Sequence, residues 1–399
     1  MNERARDVAD RCPGVFSTHE AADGALARIR LPGGRIEPAQ LAQLAQAADA
    51  HADGYLEITV RGNLQLRGIT DVAAVADAVV GAGLAPSATH DKVRNIEVSP
   101  LTGRIGGVAD ARPLASALDD ALRADPASTA LSGRFLFGID DGRGDIVARR
   151  PDACAVIRSG APRSGKSLSA DIAVGGQPVG SAAGTDDIVA ALQRIAFGLA
   201  DVRPGAWRVA DLGVDDRRRL EELVAAGLGP VVGPDDPAGG AEGAEGAGPA
   251  PADPIVGWFD QDDGAVLLGA VVELGRLPAR LAEFIAAVEA PVIFTPDREI
   301  LICDLSEGVA ETVVRVLAPM GLIFDANSPW ARLSCCVGAP GCASAHAPVR
   351  EDLLRRVAQG EPVDDREHWV GCERRCGSPA TGHLSVQATP DDGYERHRR

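Results

Sequence analysis

Positive charge is outweighed in this sequence, and lysine is nearly absent. Lys+Arg 40 stand against Asp+Glu 57, a net charge of -17. A field of that sign repels phosphate backbones, so nucleic acid is excluded as a general partner. Lys92 and Lys166 are the lysines; every other basic side chain is arginine. An arginine where a relative carries lysine therefore reads as composition before it reads as a changed task. Nothing approaches 18 uninterrupted apolar residues, so no membrane span is expected. The opening Met1-Asn2-Glu3-Arg4 is charged and has no signal-peptide core, so the expectation is a cytoplasmic protein. No G-x-G-x-x-G segment follows a strand pattern, which points to an external electron donor if the chemistry is redox.

What is present is ordinary globular material: 45% hydrophobic and 24% charged residues over 399 positions, enough for two or three domains. A segment rich in Gly, Ala, Glu and Pro at 231–254 lacks apolar periodicity and is expected to be a disordered linker. The parts on either side resemble each other. Gly14-Val15-Phe16, Asp23-Gly24 and Gly34-Arg35 recur as Gly257-Trp258-Phe259, Asp263-Gly264 and Gly275-Arg276, and Gly83-Leu84 and Arg94 recur as Gly321-Leu322 and Arg332. That is an internal duplication. Strand alternation at 25–31, helical spacing at 38–51 behind a Pro start, strands at 55–60 and 64–67, helix at 72–80 and strand at 96–98 give the order β-α-β-β-α-β. This is the ferredoxin-like unit. The fold class is thus α+β, two ferredoxin-like half-repeats with associated α/β domains in pseudo-twofold arrangement. The expected divisions are 10–90 and 91–230 before the linker, then 255–325 and a cysteine-bearing domain at 326–395.

Eight cysteines in a chain of this kind point to metal or redox chemistry rather than disulfides. Five are clustered: Cys335, Cys336 and Cys342, then Cys372 and Cys376. Cys336-x5-Cys342 and Cys372-x3-Cys376, with Gly and Pro between, suit the four corners of a [4Fe–4S] cluster. Structural zinc hooks are tighter, although His346 offers a fourth donor for that reading. Cys335 competes with Cys336 only by widening the spacing. A phosphate-loop pattern, Gly160-Ala161-Pro162-Arg163-Ser164-Gly165-Lys166-Ser167, lacks the helix that should receive a phosphate; the alternation after it reads as the return strand of a hairpin. Arg61, Arg94 and Arg134 are candidate anion clamps, since a guanidinium binds carboxylates bidentately.

The two half-repeats, the cysteine spacing, Thr59-x-Arg61-x3-Gln65 and Arg94-Asn95-Ile96 together resemble the sulfite and nitrite reductase haemoprotein family, over nearly the whole chain outside the linker. The resemblance implies that Cys336, Cys342, Cys372 and Cys376 hold a [4Fe–4S] cluster. It also implies that Cys376 bridges to a sirohaem iron where one is bound, and that the arginines face macrocycle and substrate. Within the family the closer resemblance is to the branch that hydroxylates C20 of the tetrapyrrole precorrin-3A with O2 and closes a γ-lactone in aerobic cobalamin synthesis. Arg11-Cys12-Pro13-Gly14-Val15 and Gly133-Arg134-Phe135-Leu136-Phe137-Gly138-Ile139-Asp140-Asp141-Gly142 carry it. The anion reductases have two cations in the corresponding segment; here those two positions hold Arg134 and Leu136. Leucine neither donates a proton nor holds an anion, which argues against sulfite or nitrite reduction. The resemblance leaves open whether sirohaem or a mononuclear non-haem iron accompanies the cluster, and no histidine-rich or carboxylate triad is evident for the latter. It implies a ferredoxin or an NAD(P)H-dependent reductase as electron donor.

Overall fold

The computed structural model describes residues 10, 12–159, 168–233, 253–391 and 393–399. Most of the expected linker, and the phosphate-loop-like 160–167, lie outside these residues. None of the described helices is long and apolar enough to cross a membrane.

The first half-repeat runs β1 (His19–Ala21), β2 (Gly24–Ile29), β3 (Arg35–Ile36), α1 (Pro38–His51), β4 (Tyr55–Ile58), β5 (Leu64–Ile69) and α2 (Val72–Gly81). Helix α1 starts where Pro38 presets φ and where the Gln40 amide oxygen accepts the Glu37 N–H at 3.0 Å. Its inner face is Leu41, Leu44, Ala45 and Ala48, all fully buried. The Asp71 carboxylate caps α2 by accepting from Ala74 N.

There follow β6 (Ile96–Val98), α3 (Arg112–Ala124), β7 (Phe137–Asp140), β8 (Ala153–Ser159), β9 (Ser169–Val174), β10 (Gln177–Ala183), α4 (Thr185–Val202) and α5 (Val214–Ala225). The second half-repeat is β11 (Gly257–Asp260), β12 (Val266–Ala270), β13 (Arg276–Pro278), α6 (Ala279–Ala286), β14 (Val292–Phe294), β15 (Ile300–Leu305) and α7 (Glu307–Leu317). The chain ends with β16 (Leu333–Cys335), α8 (Val349–Ala358), β17 (Glu367–Val370), β18 (Leu384–Ala388) and β19 (Tyr394–Arg398).

Two compact units result. One comprises 1–13, 30–34 and 87–241; the other comprises 14–29, 35–86 and 242–399. The second unit holds both half-repeats, and its sheets show the duplication directly. Their orders are β1-β2-β5-β4-β13 and β11-β12-β15-β14-β3. Each half completes the other's sheet: Arg276–Pro278 pairs with β4, and Arg35–Ile36 pairs with β14. Helices α1 and α6 pack against each other. A third sheet of this unit, β16-β17-β18-β19, carries the cysteine loops.

The ferredoxin-like order needs one correction. The strand at 96–98 does not close the first half-repeat; it is the edge of the other unit's sheet, β10-β9-β8-β7-β6, paired parallel to β7. The closing position belongs to β13, from the second half. That sheet is covered by α3 and α4 around Leu118, Phe137, Ile139, Ala155, Ile172 and Leu192. Strands β8 and β9 pair antiparallel, with Ser159 opposite Ser169, so the stretch after 160–167 is a return strand rather than a phosphate-receiving helix.

Candidate functional site

The cysteines sit where two neighbouring parallel strands end. β16 and β17 run parallel with Cys335 opposite Trp369. The next residues therefore emerge side by side: Cys336 N donates to Trp369 O at 2.9 Å, and Gly371 N donates to Cys336 Sγ at 3.2 Å. The first loop folds back through Gly338, whose φ is +68° and whose missing Cβ would lie 2.7 Å from Val349 N. This brings Cys342 N to Gly338 O at 2.9 Å, and His346 N to Gly371 O at 2.8 Å. In the second loop Arg375 takes φ +48°, and its N–H reaches Cys372 O at 3.2 Å.

The thiols feel one another. Burial first, and then the neighbouring Cys376 and Cys372, push the Cys336 thiol up against two backbone N–H donors that pull it down. Burial also raises Cys376, whose sulfur neighbours are Cys372 and Cys342. Cys335 has different surroundings: burial holds it at about 12, and its electrostatic neighbours are Arg350, Cys336, Arg298 and Glu57. Cys376 and Cys372 thus act on Cys336, and Cys372 and Cys342 act on Cys376. Four thiols on two glycine-containing loops, with an N–H aimed at sulfur, form a donor set that fits a thiolate-bound iron–sulfur cluster.

Both half-repeats brace these loops. From β5, Arg67 grips Asp23 at 2.9 and 2.8 Å and donates to Gly341 O at 3.1 Å, next to Cys342. From the turn before β15, Arg298 donates to Gly377 O at 2.6 Å, next to Cys376. Beneath, fully buried His368 bonds Ser334 Oγ through Nδ1 at 2.8 Å and Cys376 O through Nε2 at 3.0 Å. A carbonyl only accepts, so Nε2 carries the proton and Nδ1 accepts from the serine. Burial pushes the imidazole pKa well below its ordinary value, and the neutral ring is the form these bonds require. No sequence pattern marks Arg67, Arg298 or His368, because each acts on a backbone carbonyl that only the fold brings near.

The three candidate arginines are placed differently. Arg61 lies half-buried in the β4–β5 turn of the cysteine-bearing unit, where Gly62 at φ +65° lets Thr59 close the turn. Arg94 belongs to the other unit and is 7% exposed; Asp119 of α3 closes its fork at 2.6 and 2.9 Å. Arg134, in that same unit, is half exposed; its guanidinium lies 4.7 Å from the Trp207 ring centre and 3.7 Å from Asp10. Leu136 is 5% exposed, its N–H bound to Asp152.

One carboxylate triad escaped the sequence reading. Asp140, Asp141 and Asp145 bring ligand atoms within 4.8 Å of one another. Asp140 already accepts from the N–H groups of Gly142, Gly144, Ile146 and Val147, and Asp141 pairs with Arg143. An all-oxygen set suits hard cations rather than a histidine–carboxylate iron site. Its signal was the Asp-Asp-Gly-Arg-Gly-Asp run itself.

Residues 19–79 match the family model of the nitrite/sulfite reductase ferredoxin-like half domain. The precorrin-3B synthase of Sinorhizobium sp is 27% identical over 396 residues, covering 96% of this chain and 81% of its own. The ferredoxin–nitrite reductase of Leptolyngbya laminosa is 26% identical, covering 98% and 81%. The structure of Mycobacterium tuberculosis NirA protein superposes with a TM-score of 0.70 at 19% identity, over 94% of this chain and 73% of that one. The chain therefore has the sulfite/nitrite reductase-type α+β fold and is a relative of these oxidoreductases. Its similar relatives include both a precorrin-3B synthase and nitrite reductases.

Proposed function

We propose that this protein is a precorrin-3B synthase: an iron–sulfur oxidoreductase that uses O2 to hydroxylate C20 of precorrin-3A, with γ-lactone closure. The observation that carries the reading is Leu136, a buried apolar side chain where the anion-reducing relatives are expected to place a second cation. A six-electron anion reduction needs proton donors and charge at that place, and leucine supplies neither. A reduced tetrapyrrole bearing many carboxylates instead needs guanidiniums that grip and orient it.

Cys336, Cys342, Cys372 and Cys376 are the residues that would hold the [4Fe–4S] cluster, and Cys335 is assigned to the packing behind it. When bound, the cluster, with a sirohaem or a mononuclear non-haem iron beside it, supplies electrons from a ferredoxin or an NAD(P)H-dependent reductase for the reaction with O2. One oxygen atom goes to C20 and the other leaves as water, which takes two electrons and two protons from outside the substrate. Arg67, Arg298 and His368 hold the cysteine loops through Gly341, Gly377 and Cys376 carbonyls. Within the cysteine-bearing unit, Arg61 orients a substrate carboxylate. Arg94 already has a carboxylate partner in the fold, and its part is to fix α3 beside the segment leading into β6.

The test is an anaerobic absorption spectrum before and after dithionite, followed by turnover of precorrin-3A under O2. A broad iron–sulfur absorption that bleaches, with O2-dependent loss of precorrin-3A, supports the reading. Reduction of nitrite or sulfite without turnover of precorrin-3A sinks it in favour of an anion reductase. A colourless protein after anaerobic purification removes the cluster assignment as well.

A further inference from the structure

The duplication equates Arg94 with Arg332, 238 positions later, and the two guanidiniums differ in one respect. Arg94 has the carboxylate of Asp119 across its fork. Arg332 has its backbone tied, N–H to Pro329 O at 3.0 Å and carbonyl to Glu367 N at 2.9 Å, yet its side chain makes no hydrogen bond or ion pair with any described residue. It is half-buried and lines a small cavity, partly open to solvent, with Arg298, Arg366, Trp330 and Ser334. The cavity's carboxylate is Asp297, which is paired with Arg366 at 2.8 Å. Three guanidiniums against one carboxylate leave this lining at net +2 in a chain of net charge -17.

Cations of one sign in a partly enclosed cleft raise the local concentration of anions, and a partly desolvated guanidinium gains most from a bidentate acceptor. We propose that this cavity binds a small carboxylate or tetrahedral oxyanion, gripped chiefly by Arg332, which takes the place that Asp119 fills for Arg94. Arg366 and Arg298 add charge around it, although each also serves a partner within the protein: Asp297 and Thr381 for Arg366, and Gly377 O for Arg298. Trp330 supplies an apolar wall beside these cations. The site lies wholly within the cysteine-bearing unit and does not depend on the function proposed above.

The experiment is calorimetric titration of the purified full-length protein with sodium sulfate and, separately, sodium acetate, at ionic strength held constant with chloride. Saturable binding of at least one anion is expected, weakened at least tenfold in Arg332→Gln. Arg332→Lys, which keeps the charge and loses the fork, is expected to fall between the two. Arg355→Gln, at an exposed position on α8, should bind like wild type. Saturation by acetate alone identifies the carboxylate of an organic molecule as the ligand chemistry; saturation by sulfate alone identifies a free oxyanion. No saturable binding of either anion overturns the proposal. Equal affinities in wild type, Arg332→Gln and Arg332→Lys, with circular dichroism unchanged, overturn it too.

Discussion

The five-residue turn at 59–63 in the first half-repeat returns at 295–299 in the second, bond for bond. Thr59 N donates to Asn63 O at 2.8 Å, as Thr295 N does to Glu299 O at 3.0 Å. The threonine hydroxyl accepts from the fifth residue's N–H at 3.1 Å in both. The fourth residue is left-handed in both, at φ +65° in Gly62 and +68° in Arg298. The first copy meets that demand with glycine and places Arg61 one residue earlier. The second puts an arginine in the strained position, at a cost of about 1–2 kcal/mol, and that side chain reaches Gly377 O beside Cys376. Its counterpart of Arg61 is Asp297, paired with Arg366. One backbone device thus carries an arginine in each copy, at the third residue in the first and at the fourth in the second, where it braces a cysteine loop.

The largest effect that would break this contrast lies in the loops that both halves brace. Cys336→Ser should abolish iron binding, while Cys335→Ser should leave iron content and the visible spectrum intact; equal iron loss in both would erase the distinction drawn between neighbouring thiols. Next comes the pair of arginines at equivalent positions. Asp119→Ala leaves Arg94 buried without its partner and should cost about 3–5 kcal/mol in urea unfolding. Arg332→Gln breaks no contact with a described residue and should change stability by no more than about 0.5 kcal/mol.

How much of this was legible without coordinates varied with the range of the interactions involved. Helix α1 was bounded correctly because its Pro start and apolar spacing are local. The strand at 96–98 was recognised as a strand and given to the wrong sheet, since alternation reports exposure and not which neighbour a strand pairs with. The exchange of β3 and β13 was invisible, because segments of two and three residues carry no periodicity. Cysteine spacing singled out Cys336, Cys342, Cys372 and Cys376 as candidates, but not that β16 and β17 run parallel and carry the two loops out side by side. The bracing by Arg67, Arg298 and His368 is tertiary throughout.

A smaller test uses the fifth residue of the turn, Asn63 in the first half and Glu299 in the second, both buried. Burial, with the nearby Asp297, lifts the Glu299 carboxyl from 4.5 to about 6, against the pull of the Thr295 and Ile255 hydrogen bonds and of Arg366. A raised carboxyl binds protons more tightly in the folded state than in the unfolded one. Its contribution to stability is therefore complete below about 4.5 and is lost as pH rises through about 6. Glu299→Gln keeps an acceptor for Ile255 N and cannot ionise. Relative to that variant, wild type should lose up to about 2 kcal/mol between pH 4.5 and pH 7. A stability difference that stays flat across this window would show that Glu299 titrates normally and that its turn is no more desolvated than a surface loop.

The test closest to function compares Arg61→Ala with Arg298→Ala. Arg61 is offered as a grip on a substrate carboxylate, and its loss should raise KM for precorrin-3A about tenfold, or about 1.4 kcal/mol, with iron content and melting temperature unchanged. Arg298 holds the carbonyl after Cys376, so its loss should act first on the cluster, lowering iron retention and shifting the reduction potential, with KM following only as active protein is lost. Titrating substrate at fixed iron content separates the two. If Arg61→Ala also sheds iron, the first copy of the turn braces the loops as the second does, and the division of labour between the halves fails. If KM holds and kcat falls, Arg61 acts in the transition state rather than in binding, and the carboxylate grip must come from other residues.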